Sequence, residues 1–250
     1  PDSRQIGAII GKQKWELNLT ATTGTVTFYR AFSSANPDWV TTAVVPLNTW
    51  THVCVTYESG SIANNPIIYI NGVVETLTES TPPVGSAVAE DTYDLTVGAM
   101  DGGTTDFLDG KIDEARIYNR ILSITEIQSL YTQGGGTKVD SAVSQSTGTG
   151  RLDSGLAGYW AMDNGSGTSA PDSSTNGNTG TLTNGPTWTT GQIGTAVDFD
   201  GTDDKISIAT SPSLELTTKE TISAWIYLEA VPSSGNEATI LYKNSSGDSN

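Results

Sequence analysis

The stretch FLDGKIDEARIYNRILSITEIQSLY, residues 107–131, decides the fold. From Lys111 to Tyr118 it alternates: Ile112, Arg116 and Tyr118 fall on one side, with Glu114 as the exception, and Asp113, Ala115 and Ile117 on the other. Alternation carried by β-branched and aromatic residues reads as a strand. Asn119-Arg120 breaks the run. Ser123 followed by Glu126 is a capping box, in which each side chain satisfies an orphan backbone N–H at a helix start. Ile124, Ile127, Leu130 and Tyr131 continue at helical spacing until Gly134-Gly135-Gly136 stops the turn. A strand running into one short helix near 123–131 stands out, because the other periodic segments of the chain read as strands.

Working outward, Gln5 to Lys12 and Trp15 to Leu19 read as a hairpin, and Thr25 to Arg30 as the next strand. Ser33 to Trp39 reads as a loop. Val40 to Val45, Thr51 to Tyr57, Pro66 to Ile70, Val73 to Leu77 and Tyr93 to Val97 alternate as strands. Asn71-Gly72 is a hairpin signal, since both central residues of a type I′ turn need positive φ. Beyond the helix, residues 132–154 are rich in Gly, Ser and Thr, which is linker chemistry. Short strands then recur at Gly158–Met162, Gly180–Thr183, Ala196–Phe199, Lys205–Ile208 and Thr221–Tyr227. Strands at this spacing, separated by turn residues, indicate an antiparallel sandwich or barrel.

Composition agrees with a secreted β protein: 27 Gly, 10 Pro and only 16% charged residues, against about 25% in ordinary soluble domains. Cys54 is the one cysteine, so no internal disulfide forms; in WTHVCVTY it reads as a small core residue of the apolar face. The net charge of −16 argues against nucleic acid and anionic membrane, whose phosphates need clustered Lys and Arg, and is compatible with divalent cations and neutral glycans. No stretch approaches the roughly 20 apolar residues of a membrane span. The sequence carries no signal peptide, and its start at Pro1 reads as that of a processed or excised segment.

Three motifs carry a family resemblance. D-G-x-I-D-E-x-R-I-Y-N-R-x-L-S-x-x-E-I at 109–127 resembles the closing motif of the laminin G-like jelly rolls of the concanavalin A-like lectin/glucanase superfamily. Asn48 to Tyr57 with Ile67 to Gly72 resembles the middle of that family. G-L-x-G-Y-W at 155–160, D-S-S-x-N-G-N at 172–178, V-D-F-D-G-T-D-D-K-I at 197–206 and T-I-S-A-W-I-Y at 221–227 resemble its opening. The resemblance implies a two-sheet antiparallel jelly-roll sandwich, but the order is permuted. Residues 1–135 match a C-terminal half, 136–154 a linker, and 155–250 an N-terminal half that completes the same domain or that of a neighbouring chain or repeat. Neither half alone buries a core; each would leave open edges and a bare apolar face.

Catalytic chemistry is thin. His52 is the only histidine and reads as a polar strand position opposite the apolar face. No nucleophile elbow and no E-x-D-x-x-E carboxylate pattern occurs, so the expectation is that the protein is not an enzyme. Asp172, Asn176 and Asn178 offer oxygens in a Gly-punctuated loop suited to a hard cation, with Asx turns as the plainer reading. The resemblance implies a structural Ca²⁺ where that loop meets Asp113. Asp200, Asp203 and Asp204 form a second acidic loop. For sugars, Trp39 and Trp188 lie in loops and are the candidate stacking platforms, with loop anchoring as the alternative, whereas Trp50, Trp160 and Trp225 sit on strands and read as core.

Two functions follow as expectations. One is a non-catalytic extracellular or cell-surface module that recognises glycans or surface proteins, taken from a tandem-repeat adhesion protein. The other is a filament subunit, in which the opening half of one chain completes the closing half of the next, head to tail. A linker of about 19 residues has a root-mean-square span of ~25 Å, roughly a sandwich's length, so closure within one chain is also compatible with the sequence.

Overall fold

The computed structural model describes residues 15–88, 94–100, 106–134, 152–216, 218–233 and 235–243. The first segment supplies β1 (Trp15–Leu19), β2 (Thr25–Arg30), β3 (Asp38–Val44), β4 (Trp50–Glu58), β5 (Ile67–Ile70), β6 (Val73–Val74), β7 (Leu77–Glu79), β8 (Leu95–Val97), β9 (Asp109–Tyr118) and helix α1 (Ile124–Gly134). The second supplies β10 (Leu156–Trp160), β11 (Ser169–Ala170), β12 (Gly180–Thr183), β13 (Thr187–Thr190), β14 (Thr195–Asp200), β15 (Lys205–Ile208), β16 (Lys219–Leu228) and β17 (Ala238–Lys243). The proposed partner strand of β1 at Gln5–Lys12, most of the linker and the loop 101–105 lie outside the described residues.

The strands form two antiparallel sheets, the jelly-roll sandwich that the motifs imply. One runs β11-β12-β15-β8-β17-β1-β2-β3-β7; the other runs β13-β14-β9-β16-β4-β5-β6, with β10 also paired to β9. Strands of the two segments alternate in both sheets. β9 lies between β14 and β16, β16 between β9 and β4, and β8 between β15 and β17. β1 pairs with β17 from Trp15↔Lys243 to Leu19↔Ala238. Between the sheets one core gathers residues of both segments, among them Trp15, Phe28, Trp39, Tyr57, Ile112, Trp160, Phe199 and Ile226. Apolar burial on this scale is the main force holding the segments together.

Local chemistry accounts for the turns. Asn71 and Gly72 have φ of 52° and 74°, the left-handed pair that a type I′ turn requires, and they join β5 to β6. At α1 the Ser123 N–H donates to Glu126 Oε2 at 2.8 Å, and the Glu126 N–H donates to Ser123 Oγ at 3.4 Å, closing the capping box. Arg120 clamps Glu126 from outside with two N–H donors at 2.6 and 3.1 Å. That guanidinium, with the Ser123 hydrogen bonds, holds the carboxyl down at about 2 against the opposing effect of burial. Ser123→Ala is expected to lower stability by about 1 kcal/mol, read as a lower urea midpoint with an unchanged denaturant slope.

Helix α1 lies on the outer face of the smaller sheet. Ile127, Leu130 and Leu122 pack there on Cys54, Tyr69 and Tyr118. This corrects two expectations for β4. Val53, Val55 and Tyr57 face the main core, whereas Cys54 points the other way, into the apolar cluster beneath the helix. Burial raises its thiol far above the usual range. His52 shares that outer face but is no solvated strand position: it is 1% exposed. The helix covers it, and its ring lies 5.3 Å from Trp225 and 6.2 Å from Tyr131.

β9 carries a bulge. Arg116 pairs with Ser223 but Asp113 pairs with Trp225, so β9 spends one residue more than β16, and Glu114 adopts φ 55°. The phase of alternation changes there. Ile112 therefore shares the core side with Ala115 and Ile117, not the side of Arg116 and Tyr118.

Candidate functional site

The Asp172 loop is satisfied from within. Asp172 Oδ1 accepts the N–H groups of Tyr159 at 3.0 Å and Ser174 at 2.8 Å. Its Oδ2 accepts the Ser174 hydroxyl and the Asn178 N–H, each at 2.8 Å. The Asn176 amide donates to the carbonyls of Leu156 and Ala157 at 3.0 Å, and the Asn178 amide to Ala157 O at 2.9 Å. This is an Asx-turn arrangement that staples residues 172–178 to β10. A Ca²⁺ there would displace donors already in place, so these side chains as arranged do not fit the ion. Asp113 is not brought to this loop. It accepts instead the Ile193 N–H at 2.8 Å, through Oδ2, from the turn between β13 and β14.

Asp113 is wholly buried, and its Oδ1 has no hydrogen-bond partner. Burial raises the carboxyl to about 8; the Ile193 and Glu114 N–H groups oppose that, and the negative charges of Glu114 and Asp163 add to it. Asp163 accepts the Thr195 N–H at 3.1 Å, two residues along the same turn. A Cβ built on Gly191 would stand 2.6 Å from both Asp113 Oδ2 and the Thr195 carbonyl oxygen, so the missing side chain leaves a small cradle between two oxygens. On the far side of the bulge, Glu114 is held by Arg116 and by the Tyr159 hydroxyl at 2.8 Å. The Arg116 guanidinium sits 4.1 Å over the Tyr159 ring.

Asp200, Asp203 and Asp204 do cluster, with carboxylate oxygens all within 4.8 Å of one another. Much of that chemistry is again internal: the Thr202 N–H donates to Asp200 at 2.9 Å and the Asp200 N–H to Asp204 at 3.0 Å. Beside this loop a cleft of about 440 Å³ opens at one end of the sandwich, among Asp106, Asp109, Thr202, Val231, Asn236 and Glu237. Its carboxylates would repel anions. Sequence reading missed the cleft because its walls come from three separate loops.

The aromatic residues are placed differently from expectation. Trp39 is the second residue of β3 and fully buried, stacked on Phe28 at 6.2 Å and tilted against Tyr57 at 5.4 Å. No sugar ring can reach it, which corrects its reading as a loop platform. Trp188 belongs to edge strand β13, half-buried against the core, with its indole N–H on Gly167 O at 2.7 Å. Trp160 is core as expected, whereas Trp225 faces α1 and packs on Gly134, where a side chain would collide with the indole. Trp50, expected in the core, is only half-buried.

Trp50 instead starts a row across the outer face of the smaller sheet, just beyond the end of α1. Its ring lies 5.5 Å from Tyr227, its cross-strand partner on β16. Tyr227 pairs in turn with Lys111 on β9, whose ammonium sits 4.7 Å from the ring centroid. Lys111 is opposite Asp198 on β14, 3.9 Å away, and is also paired with Glu229. Partial exposure of Lys111, Asp198 and Glu229, at 16%, 32% and 38%, leaves hydrogen-bonding capacity beside two aromatic faces. The signal was present in the sequence: Trp50 and Tyr227 sit at the same strand phase as His52 and Trp225, on the face turned away from the core.

A family model described as the Concanavalin A-like lectin/glucanases superfamily, of laminin G type, matches residues 1–128, just over half of the chain. The chain belongs to this family. Its fold is thus that of a lectin-like or ligand-binding domain, of a kind generally non-catalytic and typically extracellular. No curated protein and no solved structure matches the chain. Among the described residues no helix is long and apolar enough to cross a membrane.

Proposed function

We propose that the protein is a non-catalytic extracellular or cell-surface module, part of a tandem-repeat adhesion protein, that binds neutral glycans on the Trp50–Tyr227 row. The observation that carries this reading is the half-exposed aromatic pair, 5.5 Å between ring centroids, flanked by Lys111, Asp198 and Glu229 on one open sheet face. Aromatic faces stack on the apolar faces of sugar rings, and charged side chains accept and donate to hydroxyls. The net charge of −16 disfavours acidic glycans and nucleic acid as partners. Oligosaccharides screened on a glycan array and titrated by tryptophan fluorescence test it. Trp50→Ala is expected to weaken binding by roughly 3- to 10-fold, the worth of one aromatic contact. Trp188→Ala is expected to leave it unchanged. Binding that survives Trp50→Ala and Tyr227→Ala together would refute the surface.

One observation favours a second reading. Among the described residues, strand pairings join the two segments in both sheets: β9 with β10, β14 and β16, β4 with β16, β1 with β17, and β8 with β15 and β17. The same pairings made between chains, with segments of one domain in permuted order, would generate an open head-to-tail filament. Light scattering over a wide concentration range decides between closure within the chain, a strict monomer, and exchange between chains, an open-ended series.

A further inference from the structure

We propose that the row beginning at Trp50 takes an internal stretch of a linear, neutral polysaccharide, laid across the strands at about one sugar per strand. The inference rests on the glycan reading and adds the form of the ligand to it. Cross-strand pairing carries it. Trp50 on β4 is opposite Tyr227 on β16, Tyr227 opposite Lys111 on β9, Lys111 opposite Asp198 on β14, and Asp198 opposite Thr187 on β13. Directly paired residues share a sheet face. Their neighbours Ile226, Ile112 and Val197 point into the core, so the row faces outward. All five of its residues are at least partly exposed.

Five strands at a spacing of about 4.8 Å make the row roughly 19 Å long. An extended chain of equatorially linked pyranoses advances by a similar distance per residue, so successive sugars fall on successive strands. The row is longer than any one ring and runs out to β13, the edge of the sheet, which makes it a shelf for a chain and not a pocket for a chain end. On one side it is walled by the helix: the next tier along the strands, Trp225 and His52, lies under Gly134 and Tyr131 of α1. On the other side stand Glu229, Asp109 and Asp200, with Asp109 opposite Asp200 and its carbonyl oxygen accepting the Glu229 N–H at 3.0 Å. Those carboxylates disfavour anionic chains. The two ends of the row do different things. Trp50 and Tyr227 offer ring faces, and Lys111, Asp198 and Thr187 offer donors and acceptors to hydroxyls.

The test is calorimetric titration of the whole chain with linear β-linked oligosaccharides of glucose, mannose, xylose and N-acetylglucosamine, each as mono-, di-, tetra- and hexasaccharide. In at least one series affinity is expected to rise by roughly tenfold from disaccharide to tetrasaccharide, the worth of one further hydrogen bond to a charged group. Reduction of the chain end to its alditol is expected to leave the hexasaccharide's affinity unchanged, because an internal stretch is held by its rings. The double variant Asp198→Ala, Thr187→Ala is expected to flatten the rise with length, and Trp50→Ala to weaken every length. A monosaccharide that binds as tightly as the hexasaccharide and is lost with Trp50→Ala overturns the extended chain and leaves the glycan reading standing. So does a protein that binds none of these series while its glycan-array ligands still depend on Trp50. Absence of binding to any glycan, or binding indifferent to Trp50→Ala and Tyr227→Ala together, overturns both. The length series on wild type decides by itself should the double variant fail to fold.

Discussion

Arg30→Ala is expected to destabilise the protein by about 3–5 kcal/mol, the usual result of removing one partner from a buried ion pair. Arg30 Nη1 lies 3.2 Å from Glu220 Oε2, with side chains 1% and 2% exposed. The pair crosses the sandwich from β2 to β16, so each charge has been taken out of water against the other. Truncating the arginine removes this counter-charge from a glutamate held in a medium of low dielectric constant, which costs more than the lost hydrogen bond. Domains of this size are stable by only about 5–15 kcal/mol, so a large fraction would go. Urea unfolding measures it. The double variant Arg30→Met, Glu220→Leu is expected to recover much of the loss, because neither charge of the pair then remains buried. A single variant within about 1 kcal/mol of wild type would show that water reaches the pair, since exposed pairs are worth little.

The second large effect is acid sensitivity at His52. Burial, and after it the nearby Arg116 charge, depress the imidazole from 6.5 to about 3. The unfolded chain therefore takes up a proton near pH 6.5 that the folded protein refuses until about pH 3. Stability from this group is fully present above pH 6.5 and is lost as pH falls toward 3, by up to about 1.4 kcal/mol per pH unit. Asp113 acts in the opposite sense, because its raised carboxyl lets the folded state bind the extra proton. The difference between wild type and His52→Gln isolates the histidine. Urea unfolding of both at pH 7.5 and 5 is expected to show wild type losing about 2 kcal/mol relative to the variant. Parallel losses in the two proteins would mean that His52 is protonated in the folded state. Glutamine keeps an amide to meet Ser223 Oγ, which lies 2.8 Å from His52 Nε2.

What the sequence makes legible here is what local chemistry determines. The Ser123–Glu126 box and the Asn71-Gly72 turn need only their own neighbours, and both form as read. The sandwich is legible because alternation and turn residues repeat along the whole chain. Trp39 was misread because Ser33 to Pro37 carries loop composition, and nothing local says that pairing of β3 with β2 begins one residue before the tryptophan. The phase of β9 was misread because a bulge depends on the count of residues in its partner, not on its own pattern. The site residues were the least legible. Whether a carboxylate in I-D-E meets the Asp172 loop or the turn at 191–195 is decided by register between distant strands. Whether Trp50 is covered depends on α1 ending at Gly134, against Trp225 and one row short of Tyr227.

The alternation of segments within both sheets has a kinetic meaning. Among the described residues the neighbours of β9 are β10, β14 and β16, and the last of these is completed about 110 residues after Tyr118 has been made. At ordinary rates of synthesis that is on the order of ten seconds. During this interval β9, β8 and the outer edges of β1 and β4 lack some or all of the strands that pair with them in the finished molecule. Contacts of such long sequence separation also form slowly, because loop closure must precede any gain from pairing. The finished molecule protects these strands at its centre, but the nascent one displays them, so the time most dangerous to this protein is its own birth.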